Sequence, residues 1–404
     1  MPNYDDLRTY FETSPDLQEA AKRASTVPIV SGFVLDVNPV WSFFYDIENH
    51  LSLPPQSFSF GFGHGYVQSS TDFSWILAGN FQDFNPTWIS PGYQGYRRRN
   101  LYSPVKLWQQ ALSPFKPMKR FLPVTLTIVH RPLRAPEEAE MKPDDQEQLT
   151  QLVALLTEFP VALRVEERPP ARFAHTAGYG ITAAGGKSGT LGGVVKDLVN
   201  QTSYGVTCDH VASFGTSIQD ASGTIIGQCS ASTVRVALRA ATVCDPVDLV
   251  APSPFPSNGP DLNMLDCALV KLSASTSCLQ VTGVAKNLSP GQDVALHGAA
   301  TQRTRYKLGS LCLSYSFKEG TQNFCFRDSI ELLPQSRSPF GGALGSMMAT
   351  VPTQGDSGGW VLTDDQPPRW AGLFFGEDGS RGFAIRASWV HDWAEKTVGQ
   401  SLTF

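Results

Sequence analysis

Gln354-Gly355-Asp356-Ser357-Gly358-Gly359 is the stretch that decides the architecture of this chain. A serine that attacks a carbonyl needs an exposed hydroxyl and backbone N–H groups aimed at the oxyanion that forms. Glycine at 355 permits a turn that sets its own N–H beside that of Ser357. Asp356 can fix the loop by pairing inward, and Gly358 and Gly359 let neighbouring strands come close. A Gly-Asp-Ser-Gly tetrapeptide alone is often an ordinary turn; the longer run is far more specific.

Working outward, Tyr204-Gly205-Val206-Thr207-Cys208-Asp209-His210-Val211-Ala212 reads as a strand ending in a histidine. It follows Gly189 to Val195 across a turn at Val199 to Ser203, so the two strands form a hairpin. Asp266 stands just before the apolar run Cys267-Ala268-Leu269-Val270-Lys271-Leu272. His210, Asp266 and Ser357, in that chain order, can act as base, orienting carboxylate and nucleophile. Asp209 and Asp261 are rival carboxylates. Asp209 adjoins His210 on a strand and points to the opposite face, and Asp261 lies outside the strand-entry motif.

These motifs resemble the chymotrypsin/trypsin superfamily, including its intracellular members, over about residues 165–404. Trp370 to Gly376 looks like the family's substrate-flanking strand, and Gly382 to Arg386 with the Trp-containing helix after it looks like its C-terminus. The resemblance implies two six-stranded β-barrels with the triad in the cleft between them. It also implies an oxyanion hole from the N–H groups of Gly355 and Ser357, and an acyl-enzyme route for cleaving peptide bonds. Neither cofactor nor metal is expected. The alternative is a catalytically silent pseudoprotease that serves as a binding or scaffold module.

The departures from the family are informative. Its disulfide beside the histidine motif is absent, because Val211-Ala212 and Thr353 occupy those places. No convincing Ile/Val-Val-Gly-Gly start precedes the domain, so either it is active without cleavage or another group satisfies Asp356. At the pocket base stands Val351, six residues before the nucleophile. A pocket floored by Val351 and walled by Phe374, Phe375, Gly376 and Gly382 offers no partner to Lys or Arg, unless Glu377 or Asp378 reaches in. An unpaired buried cation is costly, so an uncharged side chain is expected before the scissile bond.

The rest of the chain sets the context. With 17% charged residues, 41% hydrophobic residues and a net charge of −5, the sequence is globular and has no basic tail, which argues against nucleic acid as the main ligand. No apolar run is long enough to cross a bilayer, and the N-terminus has no secretory pattern. The cysteines at 208, 229, 244, 267, 278, 312 and 325 are odd in number, which fits a mostly reduced cytoplasmic chain; a Cys312–Cys325 bridge across a hairpin is the exception considered. Cys208 reads as a buried thiol.

Residues 1–140 read as an aromatic-rich α+β domain of unknown fold, suited to holding a protein partner or substrate. Ser14 and Pro15 open a helix there, Ser57 to Phe62 alternates like a strand, and Phe121 to Val129 reads as another. Residues 131–148 form a charged connector. Asp144 and Glu147 resemble a capping box for a helix over about 145–160, grouped with the protease domain at 145–404. After the helix, Val161 to Val165 reads as a strand. The rest is mainly β, closed by a C-terminal helix capped by Ser388 and burying Val390, Trp389 and Trp393. Gly185-Gly186-Lys187-Ser188 has the wrong spacing for a P-loop and precedes a strand, so it reads as a flexible lead into the barrel. Gly61 to Gly65 is a turn, and Arg97-Arg98-Arg99 a solvated loop.

Overall fold

The computed structural model describes residues 3–37, 124–133, 142–159, 163–173, 180–238, 244, 258–259, 262–273, 281–335 and 350–404. The readings made on Ser57 to Phe62, on Gly61 to Gly65, on Arg97 to Arg99 and on Asp261 lie outside these residues. The chain divides into two compact units, one reaching Arg168 and the other running from Pro169 to Phe404 apart from Asp245–Val247.

In the first unit, α1 (Tyr4–Glu12) opens with a full capping box. Asn3 Oδ1 accepts from the backbone N–H of Asp5 and Asp6, and Asp6 Oδ2 accepts from Asn3 N, each at 2.9 Å. These bonds satisfy N–H groups that a helix start leaves without partners. α2 (Pro15–Ser25) carries Pro15 in its first turn, but Ser14 makes no side-chain cap. Strands β1 (Val30–Val37) and β2 (Val124–His130) pair antiparallel. β3 (Leu163–Glu167) then pairs parallel with β2 after the crossover helix α3 (Pro143–Glu158). A parallel neighbour needs such a crossover, which explains why α3 belongs with this unit and not with residues 169–404, with which its sequence groups it. The capping-box expectation also shifts: Lys142 is the N-cap, so Asp144 lies inside the first turn.

The second unit is mainly β. Its strands in order are β4 (Ala171–Phe173), β5 (Ile181–Ala183), β6 (Ser188–Gly189), β7 (Gly193–Asp197), β8 (Ser203–Thr207), β9 (Ser217–Gln219), β10 (Ile225–Ser232) and β11 (Ala268–Leu272). There follow β12 (Asp293–Gly298), β13 (Gln302–Glu319), β14 (Gln322–Phe326), β15 (Ser329–Pro334), β16 (Trp360–Thr363), β17 (Trp370–Glu377), β18 (Gly382–Arg386) and β19 (Leu402–Thr403). Six of them close a barrel in the order β12-β16-β17-β18-β15-β13, with β13 returning to β12. The other half is a sheet ordered β19-β7-β8-β11-β10-β9-β5-β6. It has eight strands, with β19 beside β7 at one edge and the short β5–β6 hairpin at the other. Lys187, in the rejected P-loop look-alike, sits at that hairpin and pairs with Glu319 at 3.1 Å.

Trp360 and Trp370 stack on adjacent barrel strands at 4.2 Å, and Phe404 meets both edge-on. The closing helix α4 (Ala387–Val398) buries Ala387, Val390 and Ala394. Arg386 is its N-cap, so Ser388 lies within it, and Trp389 stays half-exposed beneath the Arg386 guanidinium at 4.9 Å. Trp393 is half-exposed too.

The disulfide pairs Cys244 with Cys325, whose Cα atoms are 5.4 Å apart. The considered Cys312–Cys325 bridge is ruled out by register: Cys325 stands opposite Ser316 in the β13–β14 ladder, and Cys312 lies opposite Ser329. Cys208, Cys229, Cys267 and Cys312 are buried and take no part in a disulfide. The bond joins residues 81 apart in sequence, and tying a long loop constrains the unfolded chain. Reduction, or Cys244→Ser, should therefore lower the unfolding free energy by about 2–4 kcal/mol. Urea unfolding with and without reductant checks this, and coincident curves would remove the disulfide from any account of stability.

Candidate active site

His210 and Asp266 come from neighbouring strands of the eight-stranded sheet. β8 and β11 pair antiparallel with Thr207 opposite Ala268, so the residues just past one strand and just before the other are neighbours. His210 Nδ1 meets Asp266 Oδ2 at 2.5 Å, and the His210 backbone N–H donates to Asp266 Oδ1 at 3.1 Å. The carboxylate thus holds both the ring and the main chain of His210. Burial alone would raise the Asp266 carboxyl, but the His210 ring and the Arg235 guanidinium outweigh it and hold the carboxyl below its usual range.

Arg235 was not singled out by the sequence. Its Nε lies 3.2 Å from Asp209 Oδ2 and 3.9 Å from Asp266 Oδ1, while Nη1 reaches Glu319 Oε2 at 2.9 Å. Asp209 is therefore engaged by Arg235 and not by the imidazole. Burial and the charge of Asp266 both push its carboxyl up. A half-buried arginine among three carboxylates fixes their relative places. Its only sequence signal is an arginine between two valines, Val234-Arg235-Val236.

Ser357 lies in the turn that leads into β16. Gly355 and Gly358 have φ of 100° and 90°, the region that glycine enters without strain. At Gly358 a Cβ would also collide with the Thr190 carbonyl and the Thr207 hydroxyl. Thr190 clamps the loop: its N–H donates to Ser357 O at 2.7 Å and its hydroxyl to Gly355 O at 2.8 Å. Among the described residues the N–H groups of Gly355 and Ser357 meet no acceptor, which leaves two donors in one turn for a ligand oxygen.

Asp356 is fully buried, and its partners answer the question left by the missing amino terminus. Oδ1 accepts from the N–H groups of Ala300 and Thr301 at 3.0 and 2.9 Å, and Oδ2 from Thr353 N at 3.0 Å. The loop after β12 thus supplies backbone donors in place of a cleavage-freed amine. It does so because Gly298 has no Cβ, which would strike the carboxylate.

The two halves meet at one carbonyl. Gly358 N donates to Phe374 O at 2.8 Å, and Cys208 Sγ donates to the same oxygen at 3.3 Å. The serine turn and the histidine turn thus converge on β17, with a closed six-stranded barrel on one side and the His–Asp sheet on the other. The fold is chymotrypsin-like.

No family model matches the sequence, and no curated protein matches it. Solved structures similar to this chymotrypsin-like unit include Thermobifida fusca protease A, at 15% identity and TM-score 0.34 over 56% of this chain and 97% of that one. Cellulomonas bogoriensis chymotrypsin is similar at 16% identity and TM-score 0.32, over 56% and 97%. Nocardiopsis protease is similar at 13% identity and TM-score 0.32, over 57% and 100%. The chymotrypsin-like description stands on this chain's own strand order and turn geometry.

Two expectations change. Ser357 is not exposed: Ser357, His210 and Asp266 all have 0% relative exposure. Ser357 Oγ donates to Phe375 O at 3.1 Å, and the ring of Phe173 lies 4.9 Å from that of His210. Phe173, from β4, carried no sequence signal of a role at the site. The second change concerns the pocket. Phe374 and Phe375 are fully buried. The Phe374 ring and Pro352 crowd Gly382, while Phe375 turns into an aromatic cluster 4.7 Å from both Phe317 and Phe326. Val351 is half-buried.

A described cavity of about 660 Å³ lies elsewhere, bordered by Thr190, Gly193, His297, Gly298 and Arg303. Asp378 is spent on its own turn, accepting from Ser380 N and Arg381 N at 2.9 Å each. Glu377 Oε2 accepts from Gly379 N. Burial raises the Glu377 carboxyl. Among the described residues, no helix is long and apolar enough to cross a membrane.

Proposed function

We propose that the chymotrypsin-like unit is a serine endopeptidase. The buried His210–Asp266 pair carries the reading, because a 2.5 Å bond from Nδ1 fixes the tautomer that leaves Nε2 able to take a proton from Ser357. For attack, the Ser357 hydroxyl turns from the Phe375 carbonyl to His210 Nε2. The serine oxygen adds to the scissile carbonyl, and the oxyanion settles on the N–H groups of Gly355 and Ser357. His210 then passes the proton to the leaving amine, and water repeats the sequence on the acyl-enzyme. Asp266 orients the ring and stabilises the imidazolium. The four described cysteines outside the disulfide support a cytoplasmic setting, whereas the Cys244–Cys325 bond counts against it.

A fluorophosphonate probe tests the reading directly: Ser357 should label, and Ser357→Ala should not. Absence of labelling under every condition would leave the pseudoprotease alternative, which the complete burial of the three side chains favours. Where cleavage occurs, Val351 and the packing of Phe374 against Gly382 favour an uncharged residue before the scissile bond. A peptide-library profile should show Lys and Arg at least about tenfold below the best apolar residue, since an unpaired buried cation costs more than 1.4 kcal/mol. A profile led by Arg or Lys would overturn the pocket assignment.

A further inference from the structure

The six-stranded barrel closes without β4, yet β4 lies along it. Phe173 stands opposite Gly376 and Arg172 opposite Glu377 in an antiparallel pairing with β17. On its other side, Ala171 and Arg172 run parallel to Phe317 and Lys318 of β13. The β17 residues it covers directly follow Phe375, whose carbonyl accepts the Ser357 hydroxyl. Gly376 makes the approach possible, since a Cβ there would crowd Arg172 O and the Phe317 ring.

Phe173 is 2% exposed while Arg172 points to solvent. Its ring lies 4.9 Å from that of His210 and 5.4–5.7 Å from those of Phe317, Phe324 and Phe326. The Arg235 guanidinium sits 4.6 Å above it. These partners form a box with aromatic faces and a cationic lid, which suits a flat, uncharged ring.

An extended peptide can add to a sheet edge by main-chain hydrogen bonds, with alternate side chains read by pockets. A scissile carbonyl brought to Ser357 beside Phe375 needs this same edge, and two strands cannot share it. We propose that β4 is a resident occupant of the peptide-binding edge, and that the box around Phe173 is a subsite for an aromatic side chain of an extended peptide substrate. The proposal rests on the endopeptidase reading for the word substrate, but the occupancy stands on the pairing and ring contacts alone. Pro169 and Pro170 precede the strand and restrict the backbone there. A tethered occupant acts at an effective concentration on the order of millimolar, so an external peptide must displace it. Arg172, facing solvent, leaves the position before the aromatic residue unread.

Two variants of the full chain test this: Phe173→Ala empties the box, and Arg172→Pro puts a residue without an N–H into the β4 ladders while sparing the ring. The readouts are the rate of fluorophosphonate labelling and the anisotropy of a fluorescent Pro-Pro-Ala-Arg-Phe peptide, with Pro-Pro-Ala-Arg-Ala as its control. Each variant should label at least about tenfold faster than the parent, as release of a millimolar tethered competitor implies. Each should also bind the Phe peptide saturably and the Ala peptide at least about tenfold more weakly, as a filled aromatic box requires. Variants that fold but label no faster and bind no peptide overturn the proposal. So does loss of the cooperative thermal transition in both, which would make β4 a strand the barrel needs. Peptide binding with no labelling of any variant upholds the occupancy and removes the endopeptidase reading.

Discussion

Ser357→Ala and His210→Ala should each lower peptide hydrolysis by about 10⁴- to 10⁶-fold, a range set by other Ser-His-Asp hydrolases. The double variant should be scarcely worse than either alone. Removing the nucleophile leaves nothing for the base to activate, and removing the base leaves a hydroxyl too weakly acidic to attack, so the second loss has little left to take. Both side chains are buried, but neither truncation empties much volume, and the thermal transition should stay cooperative. Should β4 hold the parent's turnover low, the comparison belongs in the Phe173→Ala background. A His210→Ala variant that kept most of the activity would contradict the assignment, as would a double variant whose loss was the sum of the two singles.

Asp356→Ala should be the most damaging substitution to the nucleophile loop itself. It strips the acceptor from the N–H groups of Ala300, Thr301 and Thr353 in one step. These donors are only partly buried, so water replaces some of the lost bonds, and a stability loss of about 1–3 kcal/mol is expected. Activity should fall further than stability explains, because the same carboxylate sets the turn that aims the Gly355 and Ser357 N–H groups; removing one such donor costs about 10²–10³-fold in other enzymes. Asp356→Asn keeps one acceptor oxygen and should fall between. Urea unfolding and probe labelling of both variants give the two numbers. Full activity in Asp356→Ala would mean that the loop is held by Thr190 alone.

The sequence carried the parts whose function is written in local residue order. The glycines around Ser357, the strand before His210 and the carboxylate ahead of Ala268 stand where the turns and β11 place them. β17 and β18 were legible as apolar runs, because strands buried on both faces show no alternation to misread. What stayed hidden depends on residues distant in sequence. Phe173 and Arg235 acquire their roles only when β4 and the segment after β10 fold against the triad, and no spacing rule encodes that. Cys325 meets Cys244 because the β13–β14 register turns it away from Cys312. The Ala300 and Thr301 N–H groups that hold Asp356 are backbone donors, which side-chain identity does not reveal. The charged start of α3 reads as a linker in sequence, whereas its place is set by the parallel β2–β3 pairing.

The candidate site draws His210 and Asp266 from one sheet and Ser357 from a barrel finished late in the chain. Chains fold largely from the N-terminal end as they are made, so the sheet bearing His210 and Asp266 can be in place while Ser357 is still unmade. Long-range β pairing is also slow, and β17, which carries the carbonyl where the two turns meet, follows Ser357 in sequence. A nascent chain lacking that strand therefore does not yet bring the Ser357 turn and the His210 turn together. On the proposed endopeptidase reading, the site is thus among the last parts of the unit to be assembled as the chain is made.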